Sequence, residues 1–371
     1  MLNDLISIVG SEYVLTDEPM CRHTSFRIGG TAKFFVTVTK EDILIKLLSF
    51  LQTKGQQYYV LGNGSNLLVD DRGYDGVIIK LDGEFKEIRV NMEAAGDAVG
   101  FGDVARTCNT MRAGDASQIC ATVQAGAGVL LAHLSNTAWK HSLTGLEFAF
   151  GIPGTLGGAI VMNAGAYGSE MKQVVKTVRV LTLPQTETTG DTESFDGTGI
   201  VGAGEKTKFE SQICEYINEP IEELIEKTKH EFQICEYTCE EMHFAYRHSR
   251  MKEIPGIVLS VTLELRKGDA QEIKANMDSF TAQRKEKQPL EYPSAGSAFK
   301  RPEGHFAGKL ISDAGLKGYR VGDAMVSEKH AGFVINVGNA TARDVKQLLE
   351  DVSRIVYEKY GIRLEPEIIF L

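Results

Sequence analysis

The sequence predicts an α+β fold of two or three domains, on three observations. Short apolar strands alternate with turns through residues 1 to about 85, with one amphipathic helix among them. A tract from Val123 to Leu183 is dominated by glycine and small residues. A last unit, from residue 270 onward, sets two helices around short strands. The 371 residues exceed one domain at roughly 150 residues each, and 43% hydrophobic with 24% charged residues is the composition of an ordinary packed chain.

Each element has its own signal. The first helix is expected near Lys40 to Lys54, where Ile43, Ile45, Leu47, Leu48 and Leu51 fall on an apolar face. Strands are expected at Lys33–Val38, Tyr58–Leu61 and Gly76–Leu81, each bounded by glycine or charge. Further on come a helix from Ala270 to Lys285, a loop to Lys300, short strands, and a helix from Thr341 to Tyr360. Thr341 stands three residues before Asp344, a capping arrangement. Two segments, about 91–122 and 184–236, are turn-rich and mixed in charge, and read as insertions. The second is expected to hold a helix from Pro220 to Ile234 that buries Ile221, Leu224, Ile225, Phe232 and Ile234. QICEY occurs at 212–216 and again at 233–237, an echo too short to establish a repeat.

Charge and cysteine use narrow the function classes. A net charge of −10 without clustered Lys and Arg argues against a nucleic-acid partner. The early acids Asp4, Glu12, Asp17 and Glu18 do not fit a secretory leader, and no apolar run reaches the ~20 residues of a membrane span, so a soluble cytoplasmic protein is expected. Six cysteines show no CxxC pair; Cys235 and Cys239 alone make a poor metal site, so reduced structural thiols and no metal are expected.

Five motifs carry the chemistry. In YVLGNGSNLLVDD (Tyr59–Asp71), Gly62, Asn63, Gly64, Ser65 and Asn66 could converge backbone N–H groups on a pyrophosphate; the competing reading is a hairpin turn at Asn-Gly. GLEFAFGIPGTLGGAIVMNAGAYG (Gly145–Gly168) is longer than a packed turn needs, though it is neither GxGxxG nor a P-loop. YPSAGSAFKRP sets Ser297 on a glycine turn, without the spacing of a nucleophile elbow, where it could act as a proton donor. FAYRHSRMK supplies Arg247 and the terminal LEPEIIFL supplies Glu367.

In this order, with HTSFRIGG at His23–Gly30, the motifs resemble the UDP-N-acetylenolpyruvoylglucosamine reductases, a family of the vanillyl-alcohol-oxidase-like FAD-binding group, in their shorter type. The resemblance implies a two-part FAD-binding PCMH/VAO-like domain, residues 1–85 and 86–269 with the two insertions, followed by a smaller C-terminal α+β substrate-binding domain, 270–371. It implies FAD held by Gly62, Asn63, Gly64, Ser65, Asn66, Gly151, Pro153, Gly154, Thr155, Gly158, Asn163, Gly165, Ala166 and Tyr167. It implies catalysis by Arg247, Ser297 and Glu367, with Lys287 as a substrate contact; a serine proton donor also needs nearby cationic help, for which Lys300 is the candidate, and it too is expected to touch substrate. The implied reaction is NADPH-dependent reduction of a UDP-sugar enolpyruvyl ether in peptidoglycan precursor synthesis, by a cytoplasmic monomer. Another FAD oxidoreductase of this fold suits the trio less well, because oxidising an alcohol needs a base and has no use for a serine proton donor. A nonenzymatic flavoprotein that uses its insertions as an interaction surface would draw only on the helix at 220–234.

Overall fold

The computed structural model describes residues 1–92, 120–183 and 232–371. The described helices are Leu2–Val9 (α1), Glu41–Thr53 (α2), Leu131–Lys140 (α3), Leu156–Val161 (α4), Ala270–Lys287 (α5), Ala307–Asp313 (α6) and Ala342–Tyr360 (α7). The strands are Val14–Pro19 (β1), Thr31–Val38 (β2), Tyr58–Leu61 (β3), Leu67–Leu68 (β4), Tyr74–Leu81 (β5), Ile88–Met92 (β6), Cys120–Gly126 (β7), Leu143–Thr144 (β8) and Gly165–Ala166 (β9). They continue with Ser169–Glu170 (β10), Val175–Thr182 (β11), Gln233–Thr238 (β12), Gly256–Lys267 (β13), Ser294–Ser297 (β14), Arg320–Val321 (β15), Ala324–Val326 (β16), Phe333–Asn336 (β17) and Ile369–Phe370 (β18).

The chain forms two compact units. One comprises Met1–Val14, Val36–Gly62 and Ile79–Thr281; the other comprises Leu15–Phe35, Asn63–Ile78 and Ala282–Leu371. The C-terminal unit expected from sequence therefore recruits two early segments, among them most of the GNGSN loop. Strands β1, β2, β5 and β3 lie in that order in one sheet.

In the first unit α2 forms where the periodicity predicts it, and Leu44, Leu47, Leu48, Phe50 and Leu51 are fully buried. Burial of each such side chain contributes about 1.5–3 kcal/mol relative to exposure. The main sheet runs β12-β11-β13-β7-β6, with β8 also on β13. Strand β13 alternates buried and half-buried positions along most of its length, the period-two pattern of a sheet with one face covered.

The ends of both presumed insertions belong to this sheet. Met92 of β6 pairs with Ala121 of β7, and Thr182 of β11 pairs with Gln233 of β12. The segments expected from sequence at about 91–122 and 184–236 thus include, at their ends, residues of paired strands. Most of the helix expected at 220–234 lies outside the described residues. Its last residues are strand, and Ile234, expected to be buried, is 43% exposed. The physical reason is pairing: residues 233–238 form a six-residue antiparallel ladder with β11, and that tertiary context overrides the apolar spacing.

The second unit has a four-stranded antiparallel sheet, β14-β17-β16-β15, and every residue of β17 is buried. Helix α7 lays Val345, Leu348, Leu349, Val352 and Val356 into a core shared with Phe26, Ile28, Leu68 and Val334. Its start is the expected capping box: Asp344 N–H donates to the Thr341 hydroxyl at 3.0 Å, and Thr341 N–H donates to the Asp344 carboxylate at 2.9 Å. Strand β4 pairs in parallel with the terminal β18. Among the described residues, no helix is long and apolar enough to cross a membrane and no group of His, Cys, Asp and Glu is arranged to hold a metal ion.

Candidate active site

The GNGSN loop connects β3 to β4, which lie in different sheets, so its Asn-Gly pair does not close a hairpin. In the second unit the loop is held at both ends. Gly64, at φ 59°, lies so close to the His23 main chain that a Cβ would come within 2.1 Å of the His23 carbonyl oxygen. Ser25 N–H donates to the Gly64 carbonyl at 3.0 Å, and the Ser25 hydroxyl donates to the Ser294 carbonyl at 2.7 Å. The HTSF motif thus ties the loop to β14, the strand of Ser297, a role for the Ser25 hydroxyl that the motif did not announce. Further along, the Asn66 side-chain amide donates to the Glu367 carbonyl at 2.9 Å, and Ile369 N–H donates to the Asn66 carbonyl at 3.0 Å.

Ser297 and Glu367 are brought together by main chain. Beyond β14 the chain runs antiparallel to the C-terminal segment. Glu367 N–H donates to the Ala298 carbonyl at 2.9 Å, Phe299 bridges to Pro366, and Lys300 N–H donates to the Glu365 carbonyl at 2.9 Å. Both side chains are half-buried. Gly296, just before Ser297, has φ 78° at a register shift against β17, and a Cβ there would meet none of the described residues within 4 Å. The serine therefore follows an irregular strand position bordering open space.

In the first unit the long glycine-rich motif is fixed by its own main-chain hydrogen bonds. Leu131 N–H donates to the Gly154 carbonyl at 3.0 Å, Leu156 N–H to Val129 at 2.8 Å and Gly157 N–H to Ala127 at 2.8 Å, which fixes GIPGTLGG against residues 127–131. The Thr155 hydroxyl accepts from Gly158 N–H at 3.4 Å. Among the described residues, a Cβ built on Gly62 would meet that hydroxyl at 2.9 Å, and one on Gly158 would meet the same atom at 3.5 Å. Gly62 and Gly158 thus both lie against the Thr155 hydroxyl, and a side chain at Gly62 would collide with it, the close main-chain approach that glycine permits beside a bound cofactor. The Lys80 ammonium donates to the Gly62 carbonyl, and burial, then repulsion from Lys86, lowers its pKa. Tyr59, buried in the strand before the loop, is pushed up to about 12 by that burial.

The Asn163 and Tyr167 side chains are occupied by protein. The Asn163 amide donates to the Ala245 carbonyl at 3.1 Å and its oxygen accepts from Lys172 N–H at 3.0 Å. Tyr167 stacks on Phe280 at 4.3 Å and donates to the Phe280 carbonyl at 2.9 Å. Tyr167 and Gly168, at φ 55° and 82°, form the two-residue turn between β9 (Gly165–Ala166) and β10.

Arg247 sits at φ 53° in a tight turn whose flanks, Ala245 and His248, exchange two main-chain hydrogen bonds of 3.1 Å. A left-handed arginine costs about 1–2 kcal/mol, which the neighbours must offset. Asn163 holds Ala245, and the fully buried Ser249 hydroxyl donates to the Val161 carbonyl at 3.0 Å. The glycine-rich motif therefore positions the arginine-bearing segment. Lys287 is exposed at the end of α5, and the exposed Lys300 pairs with Glu365 at 3.2 Å.

Comparisons with known proteins show the family. Residues 32–189 match the FAD-binding domain model, and residues 288–371 match the model of the UDP-N-acetylenolpyruvoylglucosamine reductase C-terminal domain. UDP-N-acetylenolpyruvoylglucosamine reductase of Caldanaerobacter subterraneus subsp. tengcongensis is 41% identical over 368 residues, covering 99% of this chain and 97% of that one. The chain belongs to the UDP-N-acetylenolpyruvoylglucosamine reductase family. The same enzyme of Lachnoclostridium phytofermentans is 40% identical, covering 99% of this chain and 96% of its own. A crystal structure of UDP-N-acetylenolpyruvylglucosamine reductase from Thermus caldophilus superposes with TM-score 0.62 at 30% identity, covering 96% of this chain and 97% of that one. As a family member the chain is an FAD-dependent oxidoreductase, and the α+β class with an FAD-binding part and a distinct C-terminal domain stands.

Proposed function

We propose that this protein reduces UDP-N-acetylglucosamine enolpyruvate to UDP-N-acetylmuramate with NADPH as the hydride source, as a cytoplasmic monomer. The observation that carries the reading is the junction in the second unit: the strand segments of Ser297 and Glu367 are hydrogen-bonded neighbours, and Asn66 of the flavin loop is tied to the Glu367 main chain. Bound FAD supplies the hydride relay between the nicotinamide and C3 of the enolpyruvyl group. Gly62, Thr155 and Gly158, with Asn63 to Asn66, are the residues that would hold it.

The chain's own groups handle charge and proton. Arg247 offers paired N–H donors to the enolpyruvyl carboxylate, where negative charge grows as hydride arrives at C3. Glu367, protonated, donates a further hydrogen bond to that charge, and Ser297 delivers a proton to C2. The product then carries the hydride at C3, the proton at C2, and an intact carboxylate. Lys287 and Lys300 present ammonium groups suited to the substrate's anionic parts; Lys300 would exchange Glu365 for them.

A two-step flavin titration tests this directly. The purified yellow protein should lose its flavin absorbance on addition of NADPH and regain it on addition of UDP-N-acetylglucosamine enolpyruvate without oxygen. Bleaching without recolouring would overturn the assignment of substrate.

A further inference from the structure

We propose that Glu253 is a positioning residue for Arg247, acting through His243 and His248 as a strap across the strained arginine turn. The inference rests on the reading that Arg247 engages the substrate. His243 and His248 stand on either side of the turn, and both rings reach the same carboxylate: His243 Nδ1 lies 3.0 Å from one Glu253 oxygen and His248 Nε2 lies 2.8 Å from the other. An ionised carboxylate only accepts, so each facing ring nitrogen carries its hydrogen, which fixes one tautomer for each histidine when neutral. His248 first, and His243 after it, hold the Glu253 carboxyl below its ordinary range.

The strap answers a local need. Two non-glycine residues of the segment are left-handed, His243 at φ 48° and Arg247 at φ 53°. Such backbone persists only where the surroundings over-determine it. The main chain contributes the Ala245–His248 pair and a 2.7 Å hydrogen bond from Arg250 N–H to the Met242 carbonyl. Glu253 is itself anchored, since its N–H donates to the Arg250 carbonyl at 2.8 Å. One carboxylate therefore links the residue opening the segment, the residue closing the turn and the short helix at Arg250–Lys252 that follows. The trio is not arranged as a metal site, because both nitrogens are directed at carboxylate oxygens.

The test uses the flavin-loaded protein and stopped-flow absorbance of the two half-reactions, with E253A, E253Q and R247M measured beside wild type. R247M checks the underlying reading: if it does not slow flavin reoxidation by UDP-N-acetylglucosamine enolpyruvate, the role of Arg247 falls and the strap's purpose with it. With R247M slow, the strap predicts that E253A slows reoxidation about 10-fold or more while flavin reduction by NADPH stays within about twofold. E253Q should recover most of the rate, since its amide can accept from one ring and donate to the other. Unchanged reoxidation in E253A, or equal slowing of both half-reactions, would overturn the proposal. Should E253A fold poorly, H248A gives the same reading, with an intermediate slowing of reoxidation expected and none contradicting the strap.

Discussion

Around Arg247, beyond the Ala245–His248 main-chain pair and the Arg250–Met242 bond, the fastenings are side chains: the Asn163 amide on Ala245, the Ser249 hydroxyl on Val161, and Glu253 on two histidines. Around Ser297 and Glu367 they are mostly main chain: the 298–300 and 365–367 segments pair through their own N–H and carbonyl groups, and Asn66 and Ser25 act on carbonyls. A left-handed turn closed by a single main-chain pair extends into no ladder, so its geometry also leans on polar side chains that one substitution can remove. A strand pair survives substitution at its own positions, so the functional groups there can be removed with little loss of frame.

This difference can be broken at both ends. The largest effect is expected for E367A, which removes the carboxyl proposed as a donor to developing charge while leaving its hydrogen-bonded main chain: the substrate half-reaction should fall about 10²–10³-fold. The thermal midpoint should stay near wild type, as stopped-flow and calorimetry on one preparation would show. At the turn, N163A removes a side chain that is 2% exposed and satisfies two main-chain groups. It should destabilise the protein by about 1–3 kcal/mol, the cost of orphaning a buried polar group, and slow the substrate half-reaction as well. Urea unfolding with kinetics checks both, and a stable, fully active N163A would erase the contrast.

A smaller effect sharpens the account of the second unit. Lys346 first, then Arg72, hold the Asp70 carboxyl well below the usual carboxylate range. A depressed folded pKa contributes stability that is present above the unfolded value of ~3.9 and is lost as pH falls through the folded value. D70N should therefore be slightly less stable than wild type at pH 6, with the gap closing below about pH 4. Urea midpoints across that range would show it.

What the sequence revealed followed regular periodicity. The α2 stripe, the Tyr58–Leu61 strand and the Thr341 cap were readable because each is decided by residues near in the chain. The end of the expected helix at Ile234 was misread because a ladder with β11, some fifty positions earlier, decides it. Candidate site residues were legible as motifs, whereas their fastenings were not. Glu253 follows an unremarkable Arg-Met-Lys, and nothing local marks it as the partner of two histidines. Asn163 and Tyr167 sit in a motif that suggests cofactor contact, yet their side chains meet Ala245 and Phe280, a pairing visible only after the chain has folded.

The most direct measurement is stopped-flow absorbance of flavin-loaded S297A in both half-reactions. If Ser297 delivers the proton at C2, bleaching by NADPH proceeds at the wild-type rate and recolouring by UDP-N-acetylglucosamine enolpyruvate slows by about 10² or more. Equal loss in both steps, or recolouring at the wild-type rate, would contradict that role.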